Sequence, residues 1–463
     1  MSQAPGRRAT DHEALFWREH HDRVPATPVL RDSPAAAARI AALRDAVKRA
    51  FAEFLRESRE IVNTRQLELV RSSYAEDEFN AALDVMMDDR MTMGAVTAAF
   101  EQAWADYVGD VGALMVNSGS SANLLALAAL AAPELPNALR PGDEVIVPAV
   151  AWPTTIYPVI QMGAVPVFVD IDPETLNIDP ARIADAIGPR TRGIVLVHLL
   201  GNPCDMEAIM TLADRHGLWV VEDCCEAMGA RVNGRAVGTF GAFGTFSCFF
   251  SHHMTTVEGG LLCFHDRATW SDRVVSLRAH GWVRGRSDRE AWKEAHPDID
   301  DRWLFVSLGY NVRPTDINAA FGLAQLKKLP GFVANRQRVR RQLLEDLRAT
   351  SPWLRFQLER PGHEHSAFGF SLIVDPGAPF SRADLQRYLE ARGIQTRPIV
   401  GSNFARQPVM RHVAHRVSGA LTNADVVHFH GLMFGNHPDV TASQIAYVKD
   451  VFEDFVATFR RGA

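Results

Sequence analysis

The chain has 463 residues, of which 47% are hydrophobic and 22% are charged, and these proportions are ordinary for a globular protein with more than one core. Its formal net charge of -6 offers no general attraction for nucleic acid or an anionic membrane. The N-terminus has no apolar stretch of signal-peptide length, and no apolar run is long enough for a membrane helix. We therefore expect a cytoplasmic protein with neither nucleic acid nor a membrane as partner.

The predicted elements fall into three parts. Apolar residues at helical spacing predict an N-terminal helical arm, and we assign residues 1–73 to this extension. Apolar strands and helices then alternate as far as residue 264, which favours a mostly parallel sheet covered by helices. We assign residues 74–329 to this large α/β domain and residues 330–463 to a smaller α+β domain.

The cysteines lie in apolar or strand-like segments and not at metal-ligand spacings, which favours buried, reduced thiols and no metal site. They are Cys204, Cys224, Cys225, Cys248 and Cys263.

A small-residue turn at residues 117–125 follows the first strand of the large domain and opens a helix. Backbone N–H groups at such a turn bind phosphate in α/β proteins. Gly119 would let the backbone approach an anion, and Ser120 would supply a hydroxyl donor. An ordinary helix cap made of small residues explains the same segment, and that alternative stays open.

Asp223 comes directly after an apolar strand, where a buried carboxylate is unfavourable unless it has a partner. One such partner is a pyridinium N–H, because a carboxylate keeps that ring protonated and electron-withdrawing. A helix cap or an ion pair would account for Asp223 equally well.

The segment from residue 243 to residue 262 contains a strand, two adjacent histidines and then Glu258, Gly259 and Gly260. With the two preceding motifs in the same order, it resembles the DegT/DnrJ/EryC1/StrS family of sugar aminotransferases and dehydratases from about Tyr74 onward. The family pattern there is K-H-x-T-T-x-E-G-G, in which the lysine holds the cofactor as a Schiff base. In this chain His252 occupies the lysine position.

The resemblance implies a fold-type I enzyme dependent on pyridoxal phosphate (PLP) or pyridoxamine phosphate (PMP), with a mostly parallel, seven-stranded type of sheet. It implies that Asp223 binds the pyridine nitrogen. Gly119, Ser120 and Ser247 would bind the cofactor phosphate, and Trp152 would stack on the ring.

Three more positions gain expected roles from the resemblance. Asn311 would reach the cofactor of a neighbouring subunit, which implies a homodimer with shared active sites. Glu226 stands where aminotransferases usually have a glutamine near the cofactor's 3-hydroxyl. Asn403 and Arg406 match a substrate-binding segment, and a guanidinium suits a diphosphate. Ordinary surface polar residues would explain the last two as well.

The positions of the lysines indicate that no other residue replaces the missing Schiff-base lysine, because no lysine lies between Lys48 and Lys293. Without a Schiff-base lysine, the cofactor binds noncovalently, and a histidine can move protons near neutral pH. One dehydratase branch also carries a [2Fe–2S] cluster, but residues 278–303, where its cysteines would lie, contain none. The resemblance therefore implies PMP and no iron–sulfur cluster.

These features together predict C3 dehydration of a nucleotide-linked 4-keto-6-deoxyhexose, with GDP-4-keto-6-deoxymannose as the expected substrate. L-glutamate would be the amine donor, and the products would be ammonia and a 4-keto-3,6-dideoxy sugar. The alternatives are a CDP- or dTDP-linked substrate, a reductive 3-dehydrase, a sugar aminotransferase and, from another class, a noncatalytic cofactor-binding scaffold.

Overall fold

The computed structural model describes residues 34–58, 63–88, 91–109 and 111–460. The helices are α1 (Pro34–Ser58), α2 (Glu76–Met87), α3 (Ala95–Val108), α4 (Gly119–Leu130), α5 (Pro153–Gln161), α6 (Pro180–Ala186), α7 (Met206–His216), α8 (Arg267–Arg278), α9 (Arg289–Ala295), α10 (Asp316–Thr350), α11 (Arg382–Glu390), α12 (Thr422–His430) and α13 (Ala442–Arg460). The strands are β1 (Gly112–Val116), β2 (Glu144–Pro148), β3 (Val165–Val169), β4 (Thr191–Val197), β5 (Trp219–Asp223), β6 (Arg231–Val232), β7 (Arg235–Ala236), β8 (Phe243–Ser247), β9 (Gly260–Phe264), β10 (Leu354–Phe356), β11 (His363–Glu364), β12 (Gly369–Val374), β13 (Thr396–Arg397), β14 (Arg416–Val417) and β15 (Gly431–Gly435).

The large domain contains an eight-stranded sheet in the order β1-β9-β8-β5-β4-β2-β3-β14. Its pairings are parallel from β8 through β5, β4, β2 and β3 to β14, whereas β9 runs antiparallel to both β1 and β8. The prediction of a mostly parallel sheet is therefore confirmed. The eighth strand, β14, is a two-residue edge segment that comes from the C-terminal part of the chain.

Both faces of this sheet are buried, which explains why its strands read as nearly continuous apolar runs. On β2, Val145 and Val147 face one core while Ile146 faces the other, as the two-residue period of a strand requires. The carboxyl ends of β4, β5 and β8 therefore lie side by side at one edge of the sheet.

The C-terminal part forms a four-stranded antiparallel sheet, β10-β12-β15-β13, with its own apolar core. The predicted boundary at residue 330 falls inside α10, a single helix of 35 residues. Leu329 packs in a core of the large domain, whereas Val339 and Leu343 pack in the C-terminal core. One helix thus serves both units, and the division at residue 330 stays a prediction.

The N-terminal extension was predicted to be helical, and its residues 1–33 lie outside the described residues. The described portion contains α1, which packs on α2 through Phe51 and Phe79, with 4.6 Å between ring centroids. Lys48 pairs with Asp84 at 2.7 Å across the same contact. Among the described helices, none is both long and apolar enough to cross a membrane.

Asp316, in the first turn of α10, is 4% exposed and holds the start of α3. Its Oδ1 accepts hydrogen bonds from the backbone N–H of Gly94 at 2.8 Å and of Thr97 at 2.9 Å, and from the Thr97 hydroxyl at 2.6 Å. We predict that Asp316→Ala lowers the free energy of unfolding by about 3 kcal/mol, because it leaves these donors without their charged acceptor. Urea denaturation measures the change.

Glu345→Ala is the matched control, because Glu345 is an exposed acidic residue on the same helix. It should change the stability by no more than about 0.5 kcal/mol. Equal effects of the two substitutions would contradict the role assigned to Asp316.

Candidate active site

Asp223 ends β5 and is 3% exposed, with its carboxylate surrounded by hydrogen-bond donors. Oδ2 accepts from Asn123 Nδ2 at 2.9 Å and from the Thr155 hydroxyl at 2.7 Å, and Oδ1 accepts from the backbone N–H of Cys225 at 3.1 Å. These donors are all neutral. They hold the carboxylate in place without cancelling its charge, so the site still favours a cationic partner.

The turn that opens α4 is shaped for close backbone contacts. Ser118 caps the helix by accepting a hydrogen bond from Ser121 N at 3.1 Å. A Cβ atom at Gly119 would lie 2.6 Å from Cβ of Ser247, and one at Gly260 would lie 2.4 Å from the Ser118 carbonyl group. The glycines at these two positions therefore bring the turn against the ends of β8 and β9.

Ser120 is exposed in the first turn of α4, where free backbone N–H groups and the helix dipole favour an anion. Ser247 ends β8 and is 7% exposed. The structure thus brings Gly119, Ser120 and Ser247 together, as the sequence analysis expects of a phosphate site.

Trp152 immediately precedes α5, and 56% of its surface is exposed. Its carbonyl accepts a hydrogen bond from Thr155 N at 3.1 Å, and Thr155 in turn donates to Asp223. The exposed ring therefore lies one helical turn from Thr155, which itself contacts the buried carboxylate, and it offers an apolar surface for a flat ligand held by that carboxylate.

His252 lies in the turn between β8 and β9, and its ring stacks on Phe368 with 5.1 Å between centroids. Nδ1 is buried and has no hydrogen-bonding partner among the described residues. Burial lowers the pKa of His252 to about 4, although a hydrogen bond with the backbone of Cys225 and the charge of Asp223 act to raise it. The imidazole is therefore neutral at pH 7.

Glu226 is half-buried one turn after Asp223, and its Oε2 accepts a hydrogen bond from the backbone N–H of Leu200 at 2.8 Å. Burial raises the pKa of Glu226 to about 7, and the negative charge of Asp223 adds to the rise, while the Leu200 hydrogen bond opposes it. This carboxyl can exchange a proton near neutral pH, which the glutamine of the family pattern cannot do.

Asn311 precedes Val312, whose carbonyl accepts a hydrogen bond from Asn117 N at 3.0 Å beside the turn that opens α4. Asn311 is exposed before α10, and its Oδ1 accepts a hydrogen bond from Arg313 Nε at 3.0 Å. It lines an open cavity of about 360 Å³ together with Trp282. The prediction that Asn311 serves the site of a second subunit requires an exposed amide of this kind, and it stays a prediction.

Asn403 and Arg406 are both joined to Asp425. Asn403 is 2% exposed and donates to Asp425 Oδ1 at 2.7 Å. Arg406 donates to both carboxylate oxygens, at 2.5 and 2.7 Å, and lies over the ring of Phe429. The interpretation of Asn403 as an ordinary surface residue is therefore wrong. The expected substrate contacts of these two residues stay predictions.

All five cysteines are free thiols. Four of them are buried as expected, whereas Cys225 is half-buried beside Gly119. Burial raises the pKa of the Cys225 thiol well above its usual value, and the neighbouring Asp223 adds to the rise, so this thiol is protonated at neutral pH.

The residues present fit a noncovalently bound PLP or PMP. A buried carboxylate surrounded by neutral donors suits the protonated ring nitrogen, and Trp152 offers a face for the ring. The glycine-lined turn at the start of α4 suits the phosphate. His252 brings an unpaired buried nitrogen to the same place.

A family model described as the DegT/DnrJ/EryC1/StrS aminotransferase family matches residues 72–453. The chain belongs to this family. The match begins close to the predicted starting point at Tyr74, and it leaves most of the N-terminal extension outside the family region.

Two relatives share the family and much of the sequence. GDP-4-keto-6-deoxy-D-mannose 3-dehydratase of Yersinia pseudotuberculosis is 40% identical over 380 residues, which are 81% of this chain and 95% of that protein. A dTDP-4-dehydro-2,6-dideoxy-D-glucose 3-dehydratase of Saccharopolyspora spinosa is also 40% identical, over 82% of this chain and 85% of that protein.

A solved structure of GDP-4-keto-6-deoxymannose-3-dehydratase, with a trapped PLP-glutamate geminal diamine, matches with a TM-score of 0.78 and 36% identity. The match covers 84% of this chain and all of that chain. The expected fold of PLP-dependent transferases is thereby confirmed.

Two further groups, Thr155 and Phe368, contact the predicted site residues without any clear sequence signal. Thr155 donates to Asp223, and its only sequence signal is its position one turn after Trp152. Phe368 stacks on His252 from the C-terminal part of the chain, and no motif in the sequence indicates that contact.

We predict a proton equilibrium near pH 7 at Glu226. In the PMP-loaded protein, the cofactor absorbance should change as Glu226 loses its proton around its pKa of about 7. Glu226→Gln should abolish this transition, because the amide does not titrate. A pH titration followed by absorbance measures it, and an unchanged transition in the variant would assign it to another group.

Proposed function

We propose that this chain is a PMP-dependent 3-dehydratase that acts on a nucleotide-linked 4-keto-6-deoxyhexose, with GDP-4-keto-6-deoxymannose as its substrate. The observation that carries the proposal is His252 at the family's lysine position, next to an intact cofactor site. In a chain that had lost its function, the converging donors on Asp223 would have no reason to persist beside that substitution.

When bound, PMP supplies the amine that condenses with the C4 ketone and the ring that accepts electrons from it. The role of Asp223 is to keep the ring nitrogen protonated, and Asn123 and Thr155 hold its carboxylate in position for that contact. Gly119, Ser120 and Ser247 would hold the phosphate, as described above.

His252 acts in this mechanism as the group that moves a proton. Because its pKa is about 4, the ring is neutral at pH 7 and can accept the proton that would leave the C4′ carbon of the bound amine. The same low pKa makes the protonated ring a better proton donor than an ordinary imidazolium. It is therefore suited to give the proton to the C3 hydroxyl as that group leaves as water.

The nitrogen balance requires a second substrate. C3 loses its hydroxyl, hydrolysis releases the C4 nitrogen as ammonia, and L-glutamate restores the amine while becoming 2-oxoglutarate. The solved relative with a trapped PLP-glutamate geminal diamine supports glutamate as the donor. The absence of cysteine from residues 278–303 favours this route over one that needs an iron–sulfur reductase.

A dTDP-linked 4-keto sugar is the second candidate substrate, because the Saccharopolyspora spinosa relative has the same 40% identity. Parallel assays with GDP- and dTDP-linked 4-keto sugars distinguish the two. The chemistry assigned to His252 is the same for both.

We predict that the PMP-loaded protein converts GDP-4-keto-6-deoxymannose and glutamate into a 3,6-dideoxy sugar with equal amounts of ammonia and 2-oxoglutarate. His252→Asn should lower kcat at least about a hundredfold, because the proton acceptor is lost. Enzymatic assays of ammonia and 2-oxoglutarate, with mass spectrometry of the sugar, measure the outcome.

His216→Asn is the matched control, because His216 is an exposed histidine at the end of α7, and it should retain full activity. Nitrogen found on the isolated sugar would instead indicate an aminotransferase. PMP binding without turnover of either nucleotide sugar would favour the noncatalytic scaffold.

We also propose a cytoplasmic homodimer in which each Asn311 serves the other subunit's cofactor phosphate. The test uses hybrid dimers that contain one Asn311→Ala subunit and one His252→Asn subunit and are purified through two different tags. One site of such a hybrid would keep both residues, so the hybrid should recover about half of the wild-type activity.

Each parent homodimer should be impaired, and together they supply the baseline for the hybrid. If Asn311 served its own subunit's site, both sites of the hybrid would be defective, and its activity would not rise above that baseline.

A further inference from the structure

The imidazole of His252 is covered by an aromatic ring from the C-terminal part of the chain. Phe368 lies 5.1 Å from it between ring centroids, with 26° between the planes. Phe249 approaches the same imidazole at 6.4 Å and 68°. One ring therefore lies along the face of His252 and another meets it at an angle, and together they restrict its rotation.

Phe368 is itself held by a buried arginine. Arg336, which is 3% exposed, donates through Nη1 to the carbonyl of Phe368 at 2.9 Å and to the carbonyl of Asn436. The amide of Asn436 donates in return to the Ala367 carbonyl at 2.9 Å. Ala367 has φ of 55°, which is unfavourable for a residue with a Cβ, so these contacts must hold it there.

The backbone around Phe368 is also linked to Glu226 and to His253. Phe368 N donates to the carbonyl of Leu200 at 2.9 Å, and Leu200 N donates to Glu226 Oε2 at 2.8 Å. His253, next to His252, approaches the carbonyl of Ser366 at 3.0 Å. The segment from residue 366 to residue 368 therefore contacts both proton-exchanging groups, one through a ring and the other through a backbone link.

A histidine at this position needs such support more than a lysine does. A Schiff-base lysine is oriented by its covalent bond to the cofactor, whereas the imidazole has no such bond and its terminal torsion has a broad, roughly two-fold preference. We infer that Phe368 is a positioning residue that fixes the plane of the His252 imidazole for proton transfer. This inference rests on the proposed function of His252.

The charged and titratable groups around His252 determine how its pKa should change when Phe368 is removed. Asp223 on β5 favours the protonated imidazole, while Arg336 on α10 and burial disfavour it. His253 is fully buried with its pKa well below the usual value, so it adds no charge at neutral pH. Opening the face covered by Phe368 admits water and weakens the burial effect, so the His252 pKa should rise from about 4 towards its ordinary value.

The test compares Phe368→Ala with Phe368→Tyr, which keeps the ring, and with Phe368→Leu, which keeps much of the volume. We expect Phe368→Ala and Phe368→Leu to lower kcat about tenfold with little change in the KM for the sugar, because the imidazole loses its fixed plane. Phe368→Tyr should retain most of the activity. Phe54→Ala, an exposed site on α1, is the control.

A second measurement does not depend on turnover. In the protein labelled with ¹³C at the histidine ring, a pH titration by NMR should show the His252 pKa about one unit or more higher in Phe368→Ala than in the wild type. His252→Asn identifies the signal. Loss of activity with an unchanged His252 titration, or equal activity of the Ala and Tyr variants, would overturn the inference.

Failure of the proposed function would look different. The wild-type protein would then leave both nucleotide sugars unchanged, while the NMR comparison would still report whether Phe368 covers His252. Circular dichroism and thermal unfolding of each variant confirm that the compared proteins are folded.

Discussion

The buried carboxylate of Asp223 is the constraint on which the rest of the site depends. Its three donors come from α4, from α5 and from the turn after β5, so one side chain joins three elements. None of these donors carries a charge, and a buried anion without a cation is unfavourable. A protonated ring nitrogen beside Asp223 would supply the missing positive charge and stabilise the buried carboxylate. A ring bound there would in turn require the phosphate turn and the proton-transferring group to lie at its edges.

With His252 in place of the family's lysine, the reacting side chain is oriented by packing and not by a covalent bond to the cofactor. A lysine at this position, as in the family pattern, would align the reacting amine through its Schiff base. Here the imidazole depends on Phe368, which in turn depends on Arg336 and the strained backbone at Ala367. The C-terminal unit thus takes part in the chemistry through contacts rather than through a reacting group of its own. Glu226 adds a second proton-exchanging group, linked to the same segment through the backbone of Leu200.

Sequence patterns were sufficient for the parallel sheet, and they singled out the residues of the proposed cofactor site, because both depend on local signals. Apolar runs identify buried strands, and chemically distinctive residues such as Asp223 and His252 stand at strand ends. Contacts between distant parts of the chain left no such signal. Phe368 looks like any apolar residue of a strand, and nothing in the sequence indicates that Arg406 pairs with Asp425. Likewise, Pro330 suggested a boundary, but α10 continues through it because each half of the helix has a core to pack against.

Recognition of the nucleotide depends on other residues than the proposed C3 dehydration does. The chain is equally similar to a relative named for a GDP-linked sugar and to one named for a dTDP-linked sugar, so overall identity does not separate them. In the proposed function, the groups that converge near Asp223 and His252 act on the cofactor and on the reacting carbons of the sugar. A base two phosphates away from the sugar lies beyond that buried interior. Discrimination must therefore come from residues at the opening, such as those that line the groove beside Trp152 or the cavity beside Asn311. A change of nucleotide would leave the Asp223 and His252 arrangement intact, so the proposed chemistry does not depend on which nucleotide the sugar carries.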